Sequence, residues 1–103
     1  MKYNKLVRDR IPEIIAESGK KVTFRILNDE EYKIELEKKL DEEVAEFHES
    51  KSLEEIVDIL EVLDALILAH GFNRVSVVLK KKEKREERGG FYKKILLSEV
   101  EDD

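Results

Sequence analysis

Five carboxylates in two short runs are the residues of this chain best placed to do chemistry. Glu42, Glu43 and Glu46 form Glu-Glu-x-x-Glu, and Glu55 and Asp58 form Glu-x-x-Asp. Residues three apart on an α-helix are separated by about 60° around the axis, so each run presents carboxylates on one side of a helix. Glu43 falls at the edge of an apolar stripe that includes Leu36 and Phe47, and Lys39, one turn earlier, points the same way. Glu42 lies further toward solvent. Glu55 and Asp58 share their flank with Val62, Ala65 and Ala69. Either run alone would be a solvated helix face in a chain this charged. Here both runs border apolar surface, and two consecutive helices joined by a short loop can bring them together. Close carboxylates repel, on the order of several kcal/mol per pair at intermediate dielectric, unless cations neutralise them. All-oxygen ligands suit Mg²⁺ or Mn²⁺. Because Mg²⁺ keeps part of its water shell and binds phosphate, the expected reaction class is phosphoanhydride hydrolysis.

Other chemistries find no support in the residues. No Glu-x-x-His occurs, since His48 and His70 follow Ala45 and Ile67 at that spacing, which disfavours a di-iron carboxylate bundle. There is no Walker A loop, His-Glu-x-x-His or EF-hand loop. The absence of cysteine removes disulfides, thiolate zinc sites and cysteine catalysis. A net charge of −5 disfavours nucleic acid as a partner. No stretch of about 18 apolar residues exists, and Met-Lys-Tyr-Asn-Lys-Leu-Val-Arg-Asp-Arg lacks a signal-peptide core, so no membrane association and a cytoplasmic protein are expected.

The elements that must position these carboxylates are mostly helical. A length of 103 residues fits one domain, 1–103, with a modest core. Pro12 opens a first short helix that Gly19 stops. Val22, Phe24 and Ile26 alternate with polar residues, so Lys21 to Leu27 reads as a short strand. Asn28 and Asp29 are cap candidates for a long helix to about Glu49, with the stripe Tyr32, Leu36, Leu40, Val44 and Phe47. Ser52 with Glu55 forms a capping box for a second long helix, which Gly71 ends near His70. That helix is apolar around most of its circumference and must be covered on more than one side, which points to a homo-oligomeric bundle. Asn73 caps a fourth helix through about Arg88, with Val75, Val78 and Leu79 facing inward. Ile95-Leu96-Leu97, within Tyr92 to Val100, reads as a last strand able to pair with the first. The expected fold is therefore mainly α, with a small peripheral β element, assembled as an oligomer.

These residues together resemble a known family, the MazG-like all-α nucleoside triphosphate pyrophosphohydrolases, whose superfamily includes the phosphoribosyl-ATP pyrophosphohydrolases. The resemblance covers nearly the whole chain. It rests on Tyr3-Asn4-Lys5-Leu6-Val7-Arg8-Asp9-Arg10-Ile11-Pro12, on Lys39-Leu40-Asp41-Glu42-Glu43-Val44-Ala45-Glu46, on the run from Glu54 to Leu66, and on Lys84-Arg85-Glu86-Glu87-Arg88-Gly89-Gly90-Phe91. It implies a MazG-like helical bundle, a homodimer or homotetramer, and Mg²⁺, with Mn²⁺ as the alternative metal. It also implies hydrolysis of a nucleoside triphosphate to the monophosphate and pyrophosphate in nucleotide-pool house-cleaning. Carried over by position, Glu43, Glu46, Glu55 and Asp58 would be the ligands and catalytic residues, and Glu42 a supporting group. Only eight residues separate Glu46 from Glu55, fewer than the family has, and a second Glu-x-x-Asp, Glu61 to Asp64, lies further on. The distance from Asp58 to Gly71 favours the first pair and leaves Glu61 as an additional candidate ligand.

Lys39, Lys84, Arg85 and Arg88 are candidates for binding substrate phosphate, with Lys39 foremost. Asp64 falls on the most apolar stripe of its helix, so Arg8 or Lys5 is expected to pair with it and tie the N-terminal segment to the bundle. Two alternatives stand beside the house-cleaning reading. One is phosphoribosyl-ATP hydrolysis in histidine biosynthesis. The other is a non-catalytic helical module that binds a nucleotide or a protein.

Overall fold

The computed structural model describes residues 3–102; the terminal residues of the expected domain 1–103 lie outside them. Four helices follow one another: α1 (Ile11–Glu17), α2 (Asp29–Ser50), α3 (Leu53–Ala69) and α4 (Arg74–Arg88). The chain divides into two compact units, the first ending at Phe72 and the second beginning at Asn73. No single helix among the described residues is long and apolar enough to cross a membrane.

The helix ends of the first unit follow from local chemistry. Pro12 sits in the first turn of α1, where its missing N–H costs nothing. At the start of α2, Asn28 Oδ1 accepts from the Glu31 backbone N–H at 2.9 Å, and Glu31 Oε1 accepts from the Asn28 N–H at 3.4 Å. That reciprocal pair is a capping box. Arg25 grips the same Glu31 through two guanidinium nitrogens, at 2.8 and 3.2 Å. This contact and the cap hold the Glu31 carboxyl below its usual pKa.

Lys51 ends α2 in the left-handed region, at φ 54°, with its N–H on the Phe47 carbonyl. Lys51 and Ser52 alone connect α2 to α3, which forces the two helices into a hairpin. Gly71 closes α3 at φ +74°. Its N–H donates to Leu68 O, and the Phe72 N–H reaches back to Ile67 O at 2.9 Å, a Schellman pattern that needs a residue free to adopt positive φ.

The α2–α3 hairpin carries the core. Leu36 (2% exposed) and Val62 (8%) are its buried apolar residues. Tyr32, Leu40, Val44 and Phe47 are half-buried along the expected α2 stripe. One side of α3 contributes Glu55, Asp58, Ile59, Val62, Ala65, Leu66 and Ala69, all buried or half-buried. The opposite side carries Leu53, Ile56, Val57, Leu60 and Leu68, all exposed. Within a single chain, α3 is thus covered on one side and, apart from the exposed Asp64, apolar on the other.

The second unit contains α4 and the segment after it. Asn73 Oδ1 accepts from the N–H groups of Val75 (2.7 Å) and Ser76 (3.3 Å). The Gly89 N–H closes the other end on Arg85 O. Arg85 donates to the Tyr92 hydroxyl at 3.3 Å and lies over its ring at 5.7 Å. Val75, Val78 and Leu79, expected to face inward, are exposed.

The mainly helical expectation holds, whereas the small β element does not: no strand occurs among the described residues. Both expected strands, Lys21 to Leu27 and Tyr92 to Val100, run as irregular chain. In the first, the alternation does not sort inside from outside. Val22 and Leu27 are half-buried, Phe24 and Ile26 are exposed, and Arg25 is spent on Glu31. In the second, Ile95, Leu96 and Leu97 are all exposed. A strand is made by a hydrogen-bonded neighbour, which apolar alternation cannot supply.

A candidate metal centre between two helices

The α2 stripe places Glu43 where a core residue belongs. Positions 36, 40, 43 and 47 follow steps of four, three and four, the spacing of one buried helix face. Three of them are Leu36, Leu40 and Phe47. The fourth is Glu43, 5% exposed and the one buried charged residue among those described. Its Oε1 lies 3.3 Å from the Lys39 ammonium, one turn earlier. Its Oε2 is buried and has no hydrogen-bond partner. Sequence spacing had put Glu43 at the edge of the stripe; the structure puts it within the helix interface.

Across that interface α3 supplies Glu55 and Asp58. Ser52 accepts from the Glu55 backbone N–H at 3.4 Å, as a cap should. The return half of the expected capping box is missing, because the Ser52 N–H donates to Ser50 Oγ at 3.3 Å instead. The Glu55 carboxylate is thereby left to turn toward α2. Its Oε2 is buried and unpartnered, like that of Glu43. Burial first, and then the neighbouring Glu43 and Glu46 carboxylates, push Glu55 up to about 7.

Two overlapping triads result, and Glu43 belongs to both. Glu42, Glu43 and Glu46 can each offer an oxygen within 4.8 Å of the others, and so can Glu43, Glu55 and Asp58. Oxygens on opposite sides of a cation stand about 4.2 Å apart around Mg²⁺ and up to about 5 Å around Ca²⁺, so small side-chain rotations would suffice to close a site. Three cations stand against the five carboxylates. Lys39 lies 3.5 Å from Glu42 as well as on Glu43, Lys5 lies 3.3 Å from Glu42, and Arg8 Nη2 donates to Asp58 Oδ1 at 2.7 Å. Among the described residues the carboxylates of the cluster outnumber these cations. An all-carboxylate donor set, with two buried oxygens lacking any donor, fits a hard divalent cation.

The structure thus brings together Glu42, Glu43, Glu46, Glu55, Asp58 and Lys39. Glu61 and Asp64 are exposed and belong to neither triad. The expected pairing of Arg8 or Lys5 with Asp64 is replaced by Arg8 with Asp58 and Lys5 with Glu42. Asp64 projects from the side of α3 opposite α2, so a cation drawn to the carboxylates of the hairpin does not meet it. Lys84, Arg85 and Arg88 belong to α4 in the second unit, where Arg85 is engaged with Tyr92. Lys5 and Arg8 are the site neighbours that sequence reasoning misplaced. Their partners lie 37 and 50 residues away, beyond any local pattern.

No protein-family model matches the chain. No solved structure matches it either. An uncharacterised protein of Mycolicibacterium smegmatis is 61% identical over 41 residues, which are 40% of this chain and 42% of that protein. The chain therefore aligns with less than half the length of that relative, whose description states no activity.

Proposed function

We propose that this chain is a Mg²⁺-dependent nucleotide pyrophosphohydrolase of the MazG-like kind, converting a nucleoside triphosphate to the monophosphate and pyrophosphate in nucleotide-pool house-cleaning. The observation that carries the reading is the buried, unpartnered Oε2 of Glu43, whose carboxylate lies within 4.8 Å of that of Glu55 on the next helix, where Oε2 is likewise unpartnered. Stability alone does not favour such an arrangement, since an apolar residue at position 43 would pack without a desolvation cost. A cation shared by the two helices accounts for it.

Glu43, Glu46, Glu55 and Asp58 would hold Mg²⁺, or Mn²⁺ in its place, with Glu42 in support. When bound, the ion supplies Lewis-acid stabilisation of phosphoryl charge and a more acidic water. The chain's own groups set the geometry. Lys39 fixes the carboxylates of Glu42 and Glu43, and α2–α3 packing fixes the distance between the two acidic runs. Glu46, the exposed member of the set, is the group assigned to take up the proton of an attacking water.

Pyrophosphate release from a panel of canonical and modified nucleoside triphosphates, with phosphoribosyl-ATP included, tests the assignment. Release is expected with Mg²⁺, absent with chelator, and reduced by more than ~100-fold in Glu46→Gln, a loss beyond that of perturbing a residue behind the ligands. The substrate ranking separates house-cleaning from histidine biosynthesis. No release from any member by a protein that binds the metal would sink the enzymatic reading.

We further propose that the uncovered side of α3 is buried by a second copy of the chain. Leu53, Ile56, Val57, Leu60 and Leu68 form a row of exposed apolar groups that a lone soluble hairpin would not display. Light scattering at micromolar concentration should report a dimer or tetramer, and Leu60→Glu should dissociate it. A wild-type monomer under those conditions would count against the assembly.

A further inference from the structure

The N-terminal segment sends two cations to the rim of the carboxylate cluster. Lys5 reaches Glu42 of α2, and Arg8 reaches Asp58 of α3. Both side chains are about half exposed, and ion pairs of that kind add little stability. Leu6, between them, is half-buried. The Arg8 carbonyl accepts the Ile11 N–H at 3.0 Å and fixes the segment to the start of α1. The backbone is thus held while the two long side chains keep their reach. Arg8 commits one guanidinium nitrogen to Asp58, although its planar fork offers five donors and matches a phosphate in pairs. Lys39, the residue of this unit expected from the sequence to bind phosphate, is already committed between Glu42 and Glu43 and is largely buried.

We propose that Lys5 and Arg8 are the phosphate-gripping residues of this site: with Asp58 committed to a divalent ion and Glu42 supporting its ligands, these two cations turn from the carboxylates to the phosphate oxygens of the substrate. The assignment rests on the carboxylate cluster holding such an ion. Its chemistry is that of an electrostatic exchange. Each cation gives up a carboxylate whose charge is newly satisfied and takes a phosphate oxygen in its place, so positive charge stays at the rim throughout. The ligand class is a polyphosphate that arrives with a divalent ion, and Arg8, with its paired donors, contributes more than Lys5.

Two titrations on the full chain test the assignment. The first adds Mn²⁺ to chelator-treated protein and reads bound metal by electron paramagnetic resonance. The second adds the Mn²⁺–pyrophosphate complex to Mn²⁺-saturated protein in a calorimeter. Arg8→Gln is expected to bind Mn²⁺ as well as wild type or more tightly, because a competitor for Asp58 is gone. Pyrophosphate affinity is expected to fall about 10- to 100-fold, the range for losing a charge-assisted contact. Arg8→Lys should fall between, keeping the charge without the fork. Lys5→Gln should lose less than Arg8→Gln. The proposal is overturned if pyrophosphate affinity is unchanged in Arg8→Gln. It is equally overturned if Mn²⁺ affinity drops in parallel, which would make Arg8 a clasp that positions Asp58. Failure of the metal site itself would show in the wild-type Mn²⁺ titration, before any variant is compared.

Discussion

Glu43→Gln is expected to abolish metal-dependent hydrolysis while leaving the chelated protein at least as stable as wild type. The two halves of this outcome share one cause. Glu43 is the residue common to both carboxylate triads, so its loss removes the shared oxygen from each. Residues that merely orient metal ligands cost 10- to 100-fold when changed, and a shared ligand should cost more than ~100-fold. Stability moves the other way because position 43 lies in the α2–α3 interface, where a carboxylate faces Glu55 with no donor on Oε2. Glutamine has the same shape, carries no charge, and can donate its amide N–H to Glu55. The Lys39 contact at 3.3 Å weakens, but Lys39 keeps Glu42 at 3.5 Å.

The metal response completes the pattern. A ligand at 100 times its dissociation constant stabilises the state that binds it by about 2.7 kcal/mol. For a domain of this size that corresponds to roughly 10–20 °C in Tm. Wild type should show this rise on going from chelator to saturating Mg²⁺ or Mn²⁺, and Glu43→Gln should show almost none. Thermal melts with and without metal, beside pyrophosphate release, read all three quantities. A Glu43→Gln protein that keeps both its activity and its metal-induced shift would remove the basis for a shared ion. One that melts far lower in chelator would mean that the carboxylate stabilises the interface rather than strains it.

What the sequence made legible depended on range. Helix ends are local: Asn28, Pro12, Asn73 and Gly71 each act within a few residues and do in the structure what their type and position imply, and Ser52 caps α3 as expected through the Glu55 N–H. The meeting of the two acidic runs was legible because the connection is so short that α2 and α3 must fold back on each other. The burial of Glu43 was only half legible. Its spacing from Leu36 and Phe47 was visible, but how far the stripe extends around the helix depends on what α3 presents opposite it. The released half of the Ser52–Glu55 capping box was hidden for a similar reason. Ser50 could substitute for Glu55 as acceptor only once the turn at Lys51 brought it near the Ser52 N–H. The strands failed because pairing is non-local, and alternation in Val22, Phe24 and Ile26 describes side chains without providing a ladder. Arg8 failed likewise: a guanidinium near several carboxylates takes the one the fold brings closest, and that was Asp58 rather than Asp64.

The acid–base behaviour of Glu55 leads to the second large effect, a stability that falls with rising pH in chelator and rises with it in metal. Glu55 is held near 7 in the folded chain by burial and by the Glu43 and Glu46 carboxylates, against an ordinary value of 4.5. Below pH 4.5 the group is protonated whether the chain is folded or not, and its full favourable contribution is present. Between 4.5 and about 7 the folded chain keeps the proton while the unfolded chain releases it, so stability declines as pH rises through that window. Above it both states are ionised, and the loss is complete. Divalent metal reverses the trend, because ligation requires the carboxylate and expels the proton. Apparent affinity should therefore drop about tenfold for each pH unit below 7, as one proton competes with one ion. The comparison that isolates Glu55 is Tm against pH from 5 to 8 for wild type and Glu55→Gln, each with chelator and with Mg²⁺. In chelator the variant should gain on wild type steadily across the window, since a neutral amide has no proton to lose. In Mg²⁺ wild type should overtake it above neutrality. Curves that run parallel in chelator would mean that Glu55 ionises normally, and the two unpartnered oxygens would then need an explanation other than a shared cation.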